Sequence, residues 1–100
     1  MKVMISQPMH GRTTEQIRKE REKLVKRLEE LGWTVVDTIF EEEPPIKCNA
    51  GVYYLAKSIE EMSKVDVVVF MNGWEKARGC QIEHEICLKY GIETVNEYEL

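Results

Sequence analysis

One hundred residues, 43% hydrophobic and 32% charged, suit one domain (1–100) built around a single core. A net charge of −4, with no basic run interleaved with aromatics, excludes nonspecific nucleic-acid binding, which draws on Lys and Arg to neutralise phosphates. The N-terminal lysine is followed by only three apolar residues, and the longest apolar run, Val67–Met71, is of strand length, so neither a signal segment nor a membrane partner is expected.

In chain order, KVMIS (2–6) reads as a buried strand that ends at the turn-forming QPMHG. Thr13 or Thr14 then caps a long amphipathic helix, with Glu15 and Gln16 as acceptors near its start. Its apolar stripe is Ile17, Leu24, Val25, Leu28 and Leu31, and Gly32 stops it. WTVVD (33–37) is a second strand. It is followed by TIFEEEPPIKCNAG, some fourteen residues without periodicity, a length that in so small a domain points to function. Val52, Leu55, Ile59 and Met62 mark a second helix, and VDVVVFM (65–71) is apolar on both faces, as a central parallel strand is. NGWEKARG leads into a third helix, and IETV (92–95) closes the pattern as a fourth strand.

This β-α-β-α-β-α-β alternation predicts a flavodoxin-like, Rossmann-like three-layer sandwich, with a four-stranded parallel sheet in the order 2-1-3-4. That order places SQPMHGR and NGWEKARG side by side at the switch point, where open α/β sheets bind ligands. Cys48, Cys80 and Cys87 form an odd set without a CxxC pair. The last two lie about two helical turns apart, too far to bridge, so a reduced cytoplasmic protein is expected.

The third helix holds two glutamates flanking His84. At 100° per residue, Ile82, Glu83, Ile86, Cys87 and Tyr90 fall within about 140° of one another, with Glu83 near the middle of the stripe. Glu85 lies opposite, four residues from Lys89, as a solvent-facing pair. Burying an ionised carboxylate costs several kcal/mol unless something compensates. First-turn amides favour the charged form and burial opposes it. Two roles stay open for Glu83 on this ground: a cap within the core, or a catalytic carboxylate.

The stretches "ISQPMHG" and "VDVVVFMNGW…ARGCQIEHEIC" resemble the nucleoside 2-deoxyribosyltransferase-like superfamily, most closely its small domain-of-unknown-function branch common in phage genomes. The likeness runs from Val3 to about Val95 and rests on a QPMxG loop after the first strand and an SxGxxxE pattern opening the last helix. It implies a nucleoside or nucleotide N-glycosyl hydrolase or 2-deoxyribosyltransferase, with Glu83 attacking the anomeric carbon to form a glycosyl-enzyme. It implies no cofactor and no metal. Substrate contacts are expected from Ser6, Gln7, Pro8, Met9, Gly11 and Arg12 on the first loop and from Trp74 and Gly79 on the other. Gly11 lets backbone approach a ligand, and Arg12 beside the helix start is the phosphate candidate. Trp74 is a base-stacking candidate. Two positions depart from the pattern: the serine of SxG is Ala77, and the sugar-orienting aspartate falls on Ser58 or Glu60. The alternative is therefore a noncatalytic nucleotide-binding module of the same fold.

Other constellations carry less. Cys80, His84 and Cys87 share a helix face, but no fourth metal ligand accompanies them. The EEE run at 41–43 reads as a solvated face. Asp66, opening the third strand, reads as structural. A four-stranded sheet gains buried surface by associating, so a homodimer or higher homo-oligomer is expected.

Overall fold

The computed structural model describes all 100 residues. Along the chain run β1 (Lys2–Ser6), α1 (Thr14–Glu30), β2 (Thr34–Val36), α2 (Ala50–Met62), β3 (Val67–Phe70), α3 (Arg78–Tyr90) and β4 (Glu93–Asn96). The strands form one all-parallel sheet in the order β2-β1-β3-β4, the flavodoxin-like arrangement predicted. No helix is long and apolar enough to cross a membrane.

Strand alternation divides the core into two layers. Val3, Ile5, Val67 and Val69 meet Leu24 and Leu28 of α1 on one face. Met4, Val68 and Phe70 meet Met62 of α2 and Cys87 of α3 on the other. β1 and β3 are central and covered on both faces, which is why their sequences are continuously apolar. At the amino end of the sheet the Asp66 carboxylate accepts from the Lys2 amide at 2.7 Å, so this acid aligns β1 with β3, far from the loops that leave them.

α1 begins with a reciprocal cap: Thr13 Oγ1 accepts from the Gln16 amide at 3.1 Å, while the Gln16 side chain accepts from the Thr13 amide at 2.8 Å. It ends at Leu31 with Gly32 at φ 83°, as the glycine predicted. Leu31 itself stands in solvent rather than in the stripe, because it already caps the helix. In α2, capped by Asn49, only Met62 is buried; Tyr53, Tyr54, Leu55 and Ile59 are half-buried and Val52 is exposed.

The long connection between β2 and α2 is tied down on both sides. Arg18 of α1 pairs with Glu41 at 2.9 Å, and Lys57 of α2 pairs with Glu42 at 3.1 Å. Tyr54 adds a hydroxyl bond to the Glu42 carbonyl. Two of the three acids at 41–43 thus hold the loop, although all three remain exposed to solvent.

Candidate functional site

Five polar or charged residues are buried in this chain: Ser6, Gln7, Arg21, Thr38 and Glu83. All five meet around the carboxyl ends of β1 and β2. Ser6 and Gln7 are adjacent in sequence and therefore point to opposite faces of the sheet. Ser6 turns toward α3, where its Oγ donates to Glu83 Oε1 at 2.8 Å. Gln7 turns toward α1, where its Oε1 accepts from Arg21 Nε at 2.8 Å and its Nε2 donates to the Ile17 carbonyl at 3.0 Å. Arg21 Nη1 reaches Thr38 Oγ1 at 3.5 Å, and that hydroxyl donates to the Ile5 carbonyl at 3.4 Å. Polar groups this deep persist only when bonded, and here they bond one another across the end of the sheet.

Glu83 shares its inward face with Cys80 and Cys87, which lie one turn before and one turn after it. Ile82 and Tyr90, expected on that stripe, are exposed instead; the buried face is narrower and is centred on the 80–83–87 row. Glu85 pairs with Lys89 at 3.5 Å on the outer face, as predicted. Burial raises the Glu83 carboxyl to a pKa of about 7, opposed by the Ser6 hydrogen bond and the charge of Arg21. Glu83, the sixth residue of α3, lies beyond the first turn whose amides were expected to favour its charge, and no backbone amide bonds it. The only fully buried side-chain polar atom lacking a partner is Arg21 Nη2, so the second Glu83 oxygen, which receives no hydrogen bond, stays within reach of solvent. Burial also pushes the Cys80 and Cys87 thiols up to about 11, which makes them inert core residues.

The remaining expected positions lie on the loops that leave β1 and β3 and in the first turn of α3. Pro8 is half-buried, whereas Met9, Gly11 and Arg12 are exposed on the loop leaving β1. Gly11 adopts φ 77°, which permits the turn, and open space surrounds it. Arg12 lies along the loop, with Nε on Glu20 at 2.9 Å and Nη1 on the Pro8 carbonyl at 3.2 Å. Gly79 is exposed in the first turn of α3. Trp74 is half-buried past the end of β3, its ring stacked on His84 at 4.2 Å and its Nε1 bonded to Asn96 Oδ1 at 3.2 Å. His84 is turned onto this indole, away from a shared focus with the two buried cysteines.

The structure therefore brings together Ser6, Gln7 and Glu83, leaves Met9, Gly11, Arg12 and Gly79 exposed, and adds two buried residues that sequence reasoning missed. Arg21 carried a legible signal. It stands four residues after Ile17 and three before Leu24, an ionisable group inside an apolar helical row, just as Glu83 is. Thr38 carried none, since nothing in a loop-opening threonine foretells burial. Of the departures, Ala77 caps α3 without any side-chain bond. Glu60 is exposed beside Lys64 at 3.9 Å, and Ser58 is half-buried on α2.

The sequence model of one family, the domain of unknown function DUF4406, matches residues 1–96, nearly the entire chain. No curated protein matches it. The chain belongs to the DUF4406 family.

Proposed function

We propose that this DUF4406 domain cleaves the N-glycosidic bond of a nucleoside or nucleotide, as a hydrolase or 2-deoxyribosyltransferase, with Glu83 as nucleophile. The observation that carries the reading is the state of that carboxylate. It is buried at the switch point of the sheet, with one oxygen held by Ser6 and the other unbonded. The motif resemblance to the nucleoside 2-deoxyribosyltransferase-like superfamily singles out the same residue independently.

In the reaction the free oxygen attacks the anomeric carbon. The carbon–nitrogen bond breaks, its electron pair leaves with the base, and the base takes up a proton. Water or a second base then attacks the same carbon, loses to solvent a proton that balances the one taken up by the departing base, and displaces Glu83, which regains its carboxylate. Ser6, Gln7, Pro8, Met9 and Gly11 frame one side of the substrate, and Trp74 and Gly79 the other. Arg12 is the group for a 5′-phosphate and exchanges its bonds to Glu20 and Pro8 for the ligand.

One observation favours a second reading, a noncatalytic nucleotide-binding module. Neither Ser58 nor Glu60 takes part in the buried polar cluster, and Ala77 offers no hydroxyl beside it. Under either reading the protein is a cytoplasmic homodimer or higher homo-oligomer. Its three cysteines are unpaired, and its helices leave Val52 and Leu88 at 60% and 64% exposure.

The test is incubation with a panel of 2′-deoxynucleosides and their 5′-monophosphates, with free base followed by chromatography and Glu83→Gln run in parallel. The enzyme reading expects base release that disappears in the variant and rises with pH through about 7 as Glu83 ionises. Thermal stabilisation by a nucleotide without release supports the binding module. Neither release nor stabilisation sinks both readings.

A further inference from the structure

The loop that leaves β1, residues 8–12, has two sets of tethers, one exposed and one buried. The exposed set belongs to Arg12, whose Nε meets Glu20 at 2.9 Å and whose Nη1 donates to the Pro8 carbonyl at 3.2 Å. The Arg12 and Glu20 side chains are 40% and 42% exposed, and an ion pair so open to water holds little. On the nucleotide reading these bonds also separate, because Arg12 turns to the ligand.

The buried set belongs to Gln7, which is 5% exposed and keeps both ends of its amide in the core. Its Oε1 accepts from Arg21 Nε at 2.8 Å and its Nε2 donates to the Ile17 carbonyl at 3.0 Å, so α1 grips it from two successive turns. Arg21 is equally buried, and its Nη1 reaches Thr38 Oγ1 at 3.5 Å, where the long connection begins. Pro8 makes the grip rigid. Proline locks its own φ and confines the preceding residue to extended backbone, so a fixed Gln7 fixes the direction in which the loop departs. Pro8 in turn faces Gly73 on the loop after β3, where an added side-chain carbon would lie 4.0 Å from Pro8 Cγ. The Gln7 anchor therefore sets the spacing of the two loops at the switch point. A buried cation such as Arg21 costs stability, and fixing one arrangement of the chain is the best-attested use of such a group.

We propose that Gln7 and Arg21 are positioning residues for the first loop: clasped between the guanidinium and the Ile17 carbonyl, the Gln7 amide aims residues 8–12 and does not itself touch ligand. Ligand contacts on this loop then begin at Pro8. That the loop receives a nucleotide rests on the reading above; the clasp does not, and it is tested without a ligand.

The experiment is 15N relaxation of the backbone amides in wild type, Gln7→Met and Arg12→Ala. The double variant Gln7→Met/Arg21→Met guards against a misfolded single variant, because replacing both partners of a buried hydrogen bond by apolar groups of similar length leaves neither unpaired. In Gln7→Met and in the double variant, the order parameters of Met9, His10, Gly11 and Arg12 are expected to fall from the rigid value of about 0.85 to below about 0.6. Those of β1 and α1 are expected to stay as in wild type, and Arg12→Ala is expected to leave the loop ordered. A loop that keeps its order without Gln7, or that is freed by Arg12→Ala alone, overturns the proposal. So does a loss of order shared equally by β1 and α1, which would make the clasp a part of general stability. The relaxation data need neither ligand nor turnover, so a protein that releases no base and binds no nucleotide sinks the functional reading and leaves this test standing.

Discussion

Glu83 makes the folded chain a tighter proton binder than the unfolded one. Its pKa rises from 4.5 to about 7, first through burial, so the folded state retains a proton that the unfolded chain releases over this interval. Stability is therefore fullest below about pH 4.5, declines as pH climbs through about 7, and levels off above that. The cost is roughly 3 kcal/mol once the carboxylate is fully charged. Glu83→Gln retains an acceptor for Ser6 and cannot ionise. Urea denaturation is expected to find the variant close to wild type at pH 5 and about 2–3 kcal/mol more stable at pH 8. Parallel pH profiles for the two proteins would show that Glu83 is not the buried acid described. Under the nucleophile reading, such a gain on removing Glu83 would be the exchange of stability for function seen at many active sites.

At the scale of elements, the two helices that flank the site begin differently. α1 opens with a side-chain cap on both sides of the exchange between Thr13 and Gln16, whereas α3 opens at Ala77 with extended backbone and no side-chain acceptor. The Ala77 backbone at φ −104°, ψ 118° already has the conformation of a capping serine. Ala77→Ser is expected to stabilise the protein by about 1 kcal/mol in a thermal or urea melt, without a change in fold. Under the nucleophile reading it also restores the hydroxyl of the SxGxxxE pattern, and base release is expected to increase. An unchanged melting temperature would mean that the first turn of α3 gains nothing from a hydroxyl there.

At the scale of the whole molecule, the sheet ends in two uncovered edges, β2 and β4, and the first of these has only three residues. α2 buries one residue of thirteen, and Ile46, Val52, Leu88 and Tyr90 stand in solvent around the helical layer it shares with α3. Association that covers such surface would supplement a core with two small apolar clusters. Light scattering at micromolar concentration is expected to give a multiple of the 11.7 kDa chain mass. A single-chain mass that persists on concentration would set the oligomer expectation aside.

Much of this was already present in the residues themselves. Periodicity of two and of 3.6, with a cap at Thr13 or Thr14 and a stop at Gly32, specified the order of elements, and right-handed crossovers then allowed few sheet orders. Glu83 was legible because one ionisable group in an apolar row is a local violation, and the helical wheel is a local map. Strand ends shifted by a residue or two, at 34–36 instead of 33–37 and at 67–70 instead of 65–71, because register is decided by the neighbouring strand. What surrounds Glu83 was decided by tertiary structure alone. Arg21 and Thr38 are distant from it in sequence, and only the turning of Ser6 and Gln7 to opposite faces joins them. A chain's local pattern states which side of an element is apolar; which polar groups meet there, and hence which proton is held or released, depends on where the elements are placed.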